Sequence, residues 1–127
     1  ISKSDVHISY CDPVSCSKHP FLIFNIWSHS SDDLSAMDWV SVSRLNLLDL
    51  SVTPILNEDN LIVPRGYNRG WVSSILYARQ DGEGIICTVG LQKQESRSFH
   101  QVDYWICEIP FKSKKIKKIA DLPDTFI

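Results

Sequence analysis

The stretch VDYWICEIPFKSKKIKKIADLP, residues 102–123, decides how this chain is read. It opens as an aromatic and β-branched run from Val102 to Ile109, the composition that suits a pleated, half-buried surface. Pro110 stops the run, because proline has no N–H to give to a sheet. Phe111–Lys114 then resembles a hairpin turn, and five lysines crowd into Lys112–Lys118. The residues beyond the turn carry two patterns. Ile116, Ile119, Ala120 and Pro123 fall at helical spacing, whereas Ile116, Ala120 and Leu122 share strand parity. The preceding turn favours the strand and leaves the helix as the alternative over Ile116–Leu122.

Outward from this stretch the same grammar recurs. Ile85–Leu91 and Val72–Ala78 read as strands, joined through Asp81-Gly82, a strong hairpin signal. A polar loop, Gln92–Gln101, leads into the opening stretch. Phe21–Trp27 is an apolar run behind Pro20, followed by the polar turn SHSSDD. Trp39, Val40 and Val42 sit in a partly alternating strand. Leu45–Leu50 dips at Asn46 and Asp49, which fits a bend better than a helix. Ser51–Leu56 is a short strand that Pro54 assigns to a sheet edge. NEDN, 57–60, is a turn, LIV, 61–63, a brief extended piece, and PRGYNRG, 64–70, a loop rich in Gly and Pro. Residues 1–19 read as an irregular N-terminal segment. Seven or eight strands and no long helix predict an all-β fold of antiparallel sheets.

Two segments echo each other. DWVSVSRLNLLDLSVTPI (38–55) and DYWICEIPFKSKKIKKIADL (103–122) both start with Asp and an aromatic residue. Both run through an alternating strand and a turn to a short apolar strand. A strand and a polar turn precede each. Together with ILYARQDGEGIICTV, this pattern resembles the blades of a β-propeller of the TolB-like or WD-repeat-like kind. The resemblance implies two propeller-like blades. Two blades cannot close a ring, so it further implies association with copies of the same chain, or a place in a longer propeller. Without the resemblance, a single antiparallel sandwich or barrel is the alternative.

A chain of 127 residues fits one domain. Its charged and apolar fractions are those of ordinary globular proteins rather than disordered ones. A net charge of −2 gives no whole-chain attraction to nucleic acid or membrane. The charge is uneven, however. Residues 1–110 hold 8 Lys/Arg against 13 Asp/Glu, a net of −5, and residues 111–127 hold 5 against 2, a net of +3. No apolar run of about 18 residues predicts a membrane helix. The start, ISKSDVHISY, shows no basic-then-apolar leader. A soluble protein is expected, with no compartment indicated.

Few residues point to chemistry, and none is assigned as catalytic. Arg65, Tyr67, Asn68, Arg69 and Trp71 form the best binding candidate, with His100 on a nearby loop. Two guanidinium groups grip a carboxylate or phosphate, and the aromatic rings stack on a planar or sugar ligand. The alternative is a structural loop. Arg97, His100, Asp103 and Tyr104 permit an acid–base site to be drawn, as does any surface loop of this composition. His7, Cys11, Cys16 and His19 are four zinc-ligand types within one short segment, though not at the usual knuckle spacing. A local Cys11–Cys16 disulfide and two free thiols are the other readings. Cys87 and Cys107 fall opposite each other if the intervening hairpin centres near Arg97. Their apolar neighbours favour a buried thiol pair over a disulfide. The four tryptophans, Trp27, Trp39, Trp71 and Trp105, read as core or subunit-interface residues. The lysine cluster has the look of a nucleic-acid patch. An edge strand guarded by lysines explains it more simply, and no aromatic interleaves the lysines. The expected function is a non-catalytic, self-associating interaction module. A binding protein or enzyme for a sugar or small anion, and an anion or nucleic-acid binder, are its alternatives.

Overall fold

A computed structural model describes residues 6–15, 20–30, 37–93 and 102–123. Among them are eight strands and no helix: β1 Val6–Ser15, β2 Phe21–Ser30, β3 Met37–Asn46, β4 Val52–Leu56, β5 Tyr67–Ala78, β6 Gly84–Lys93, β7 Val102–Pro110 and β8 Lys117–Asp121. The first four form one antiparallel sheet in chain order and the last four form another. Neither sheet closes into a barrel. The all-β antiparallel expectation therefore holds, and Ile116–Leu122 resolves in favour of a strand.

The segmental echo extends to the strands. β2 and β6 begin 63 residues apart (21 and 84), β3 and β7 65 apart (37 and 102), and β4 and β8 65 apart (52 and 117). Each sheet also ends on an edge with little to pair. Pro54 lies in edge strand β4, and every residue of β8 is exposed. Lysines on such an edge discourage a further strand from adding.

Two expectations fail locally. Val6–Ser15 is not irregular, because it pairs along β2 from Val6↔Ser30 to Ser15↔Leu22. As a sheet edge, β1 tolerates Pro13, which disguised it in the sequence. The loop at 64–70 is also shorter than expected, since β5 starts at Tyr67. Here the twelve residues of β5 pair with nine of β6, Ile85–Lys93, and absorb the excess in three register shifts, at Tyr67/Arg69, Val72/Ser74 and Ile75/Tyr77. Such bulges admit polar, irregular sequence into a ladder and increase its twist.

The core is one cluster drawn from both sheets. Ile23, Val42 and Leu56 come from the first. Val72, Ile85, Cys87, Val89, Leu91, Cys107 and Ile109 come from the second, with Leu61 and Phe111 from the connections. On β6 the odd positions Ile85, Cys87, Val89 and Leu91 are fully buried, as the period of two requires for one face of a sheet. Strands β1, β2 and β3 all approach β5, so the sheets lie closest near their leading strands.

Among the described residues, Asn25 and Arg44 carry polar links between the two halves. Asn25, fully buried, donates from Nδ2 to the carbonyls of Val72 (3.0 Å) and Ser73 (3.3 Å). Its Oδ1 accepts from Trp39 Nε1 at 2.8 Å. The bulge at Val72/Ser74 takes Ser73 out of the ladder register beside these carbonyls. Arg44 of β3 packs its guanidinium 4.9 Å from the Phe21 ring centroid and donates from Nη2 to Gly82 O at 3.0 Å. Gly82, at φ +74°, makes the β5–β6 hairpin turn, where a side chain would be strained.

The connection from β4 to β5 is ordered by its own side chains. Asn57 Oδ1 accepts from the backbone N–H groups of Asp59 and Asn60, and Asn60 Nδ2 returns to Ile55 O at 3.0 Å. Ile62 N–H then bonds Lys114 O at 2.9 Å, and Ile62 forms a parallel bridge with Lys115. The linker is thereby fastened to the β7–β8 turn.

Candidate functional site

The sequence candidates around PRGYNRGW do not converge. Tyr67, Arg69 and Trp71 share strand parity, so an unbroken strand would present all three on one face. The register shift at Tyr67/Arg69 breaks that alternation. Tyr67 pairs with Lys93 and Arg69 with Gln92, neighbours on β6 that point to opposite faces.

Tyr67 consequently turns to the core face. Its hydroxyl donates to Asp103 Oδ2 at 2.6 Å, and its ring meets Trp105 edge-on, 5.5 Å between centroids. Lys93 Nζ lies 3.8 Å from Asp103 Oδ1. Lys118 Nζ sits 4.7 Å over the Trp105 ring and 2.9 Å from Asp121. Burial, the hydrogen bond to Asp103 and the charges of Asp103 and Asp121 push the Tyr67 phenol up to about 12. A phenol held so firmly protonated is a structural donor rather than a base near neutral pH.

Arg69 and Trp71 occupy the outer face. Arg69 lies 5.8 Å from the Trp71 ring centroid, and its Nε is 3.0 Å from Glu58 Oε1. The indole of Trp71 lies on Gly90, where an added Cβ would run into the ring. Arg65 is exposed on the loop before β5. His100 lies outside the described residues, as does Arg97. Of the residues set out for a ligand, the structure therefore joins Arg69 to Trp71 and sends Tyr67 elsewhere.

Of the zinc-type residues, Cys16 and His19 lie outside the described residues. His7 and Cys11 are described only as backbone positions of β1, opposite His29 and Ile26. The Cys11–Cys16 pairing lies outside the described residues with Cys16.

Cys87 and Cys107 are directly opposed across β6 and β7. Both are buried and free, with their Sγ atoms 3.7 Å apart. The hydrogen bond with Cys107 and burial push the Cys87 thiol well up, so it stays protonated and a poor nucleophile. This is the apolar thiol pair that the flanking isoleucines indicated.

An open depression of about 310 Å³ lies at the β5–β6 hairpin, lined by Tyr77, Arg79, Gln80 and Asp81. Its guanidinium is already engaged, Arg79 Nη2 to Asp81 Oδ2 at 2.7 Å. At the lysine cluster, Lys112, Lys115, Lys117 and Lys118 are exposed, while Lys114 Nζ donates to Phe111 O at 3.0 Å.

Apolar side chains also line parts of the outer sheet faces. On the outer face of the first sheet, Leu22, Phe24, Ile26 and Leu45 are half-buried around Ser41 and Ser43, whose hydroxyls bond each other at 2.8 Å. The outer face of the second sheet carries Trp71, Ile86, Tyr104 and Ile106, also half-buried. A lone Asn25 in an apolar run is the sequence signal for the inter-sheet link. No helix among the described residues is long and apolar enough to cross a membrane. The chain matches no protein family, curated protein or solved structure with which it was compared.

Proposed function

We propose that this chain is a non-catalytic interaction module of two propeller-like β units, which completes itself by associating with further copies. The observation that carries the reading is the group of apolar side chains on each outer sheet face. A lone sandwich buries one face of each sheet and leaves the other polar. Here Phe24, Ile26 and Leu45 on one side, and Trp71, Ile86 and Ile106 on the other, are the composition of faces that receive another layer. The chain path agrees with this reading. Each sheet is a four-stranded meander, the leading strands lie closest together, and the linker runs from the outer edge strand of one unit to the leading strand of the next. Propeller blades follow the same course.

Association would cover both faces and leave fewer open edges. Light scattering of the purified chain at micromolar concentration is expected to give a multiple of 14.5 kDa. A strictly monomeric particle would sink the proposal.

A further inference from the structure

The turns that join the third and fourth strands of each sheet share one backbone conformation. Leu50 N–H bonds Asn46 O at 2.8 Å, and Lys114 N–H bonds Pro110 O at 2.8 Å. Leu50 and Lys114 are the two described non-glycine residues with positive φ, +62° and +60°. On this common frame the two turns carry opposite chemistry.

The first turn displays bare apolar side chains. Leu48 is 81% exposed, Leu50 70% and Val52 61%, with Leu47 beside them and Asp49 as the turn's one charge. The display is held by hydrogen bonds on both sides of the turn. Leu47 N–H bonds Pro20 O at 2.7 Å, Leu48 N–H bonds Asn46 Oδ1 at 2.8 Å, and Ser51 N–H bonds Asp49 Oδ1 at 2.9 Å. Leucine at a left-handed position is poorly chosen for the turn itself, where Gly or Asn is relaxed. A strained residue kept in full solvent exposure points to a role beyond folding.

The second turn is the complement. Lys112, Lys115 and Lys117 are exposed in the same segment as Ile119 (57% exposed), and exposed Ile62 (49%) is tied to the turn through Lys114 O and its bridge to Lys115. One turn thus offers leucines beside an acid, the other isoleucines beside lysines. The charge division of the whole chain, −5 over residues 1–110 and +3 over 111–127, has the same sense.

We propose that the Leu47–Val52 turn of one copy docks on the Lys112–Lys118 turn of the next, with the leucines against Ile62 and Ile119 and Asp49 among the lysines. This deepens the self-association reading and rests on it. The contact is heterologous, so each copy keeps one turn of each kind for its neighbours and assembly continues from copy to copy. Because the leucine turn is already ordered, docking immobilises little more of the chain. An anionic bilayer is the poorer occupant, since Asp49 at the centre of the apolar display would be repelled by it.

The test places the photo-crosslinker p-benzoylphenylalanine at position 48 of the full chain and maps the adducts by mass spectrometry. Adducts between copies at residue 62 and within 112–119 are expected. In parallel, Leu48→Lys, with folding checked by circular dichroism, should weaken association about tenfold through like-charge contact. Adding Lys112→Glu and Lys115→Glu to it should restore association. A monomeric wild-type chain would overturn self-association and the docking together. An oligomer whose adducts lie on the outer sheet faces, and which tolerates Leu48→Lys, would overturn the docking alone. Binding of the wild-type chain to anionic or zwitterionic vesicles that Leu48→Lys abolishes would overturn it in favour of lipid.

Discussion

Asn25 is the residue on which the two sheets most directly depend. It is a polar side chain sealed among apolar ones, and every part of its amide is used. Replacing it with Leu keeps the volume but strands the Trp39 Nε1 donor in the core and leaves the Val72 and Ser73 carbonyls without it. A buried donor without a partner costs roughly 1–3 kcal/mol. Urea unfolding of Asn25→Leu should show a loss of that size, and an unchanged midpoint would remove the amide from this role. Tyr67 offers a second residue-scale test, through pH. Its folded-state phenol is raised to about 12 from the ordinary 10. The unfolded chain therefore loses this proton first as pH rises. The stability contributed is whole below about pH 10 and declines as pH climbs through about 12. Stability measured at rising pH across that window should fall less steeply in Tyr67→Phe than in the wild type. Equal slopes would show that burial and the Asp103 bond do not raise the phenol in the folded chain.

At the scale of elements, turns and bulges decide more than strands do. Leu50 holds a left-handed backbone conformation at a cost of about 1 kcal/mol for a side-chain-bearing residue. Asn tolerates that region, so Leu50→Asn should raise thermal stability by about 0.5–1 kcal/mol. A lower melting temperature would mean that the leucine supports the fold. Most strands could be read from the sequence, because β2 through β7 carry apolar and β-branched runs, and β8 followed from the turn before it. The paired thiols were legible as well, since hairpin symmetry about Arg97 sets Cys87 opposite Cys107. β1 was not, because Pro13 and Asp12 interrupt a run that only its pairing with β2 makes a strand. The geometry of the candidate site was not legible for one local reason. PRGYNRG reads as a loop, whereas β5 begins at Tyr67, and no residue-level signal announces the extra residue that sets Tyr67 and Arg69 on opposite faces. A bulge belongs to the ladder, and its evidence lies as much in β6 as in β5.

For the whole molecule, the apolar outer faces and the paired turns set the same expectation. Mass in solution tests the first, and adducts from position 48 test the second. The two readings differ in what they ask of the surface. Faces ask for area and shape, whereas the turns ask for a few aligned side chains that fix direction. An assembly using both would be ordered by the turns and held by the faces.

The strictly sequential pairing of the strands has a further consequence. Every ladder joins neighbours along the chain, β1 to β4 within residues 6–56 and β5 to β8 within 67–121. Cutting the backbone in the turn 57–60 would break no strand pair. The linker's bridge at Ile62 would stay with the second half. Each half would keep its complete sheet, and what passes between them would be the core contact, the Asn25 amide and the reach of Arg44 to Gly82. In effect the covalent link is a tether that sets local concentration. One chain of this kind is already a pair, its halves joined through their own core faces.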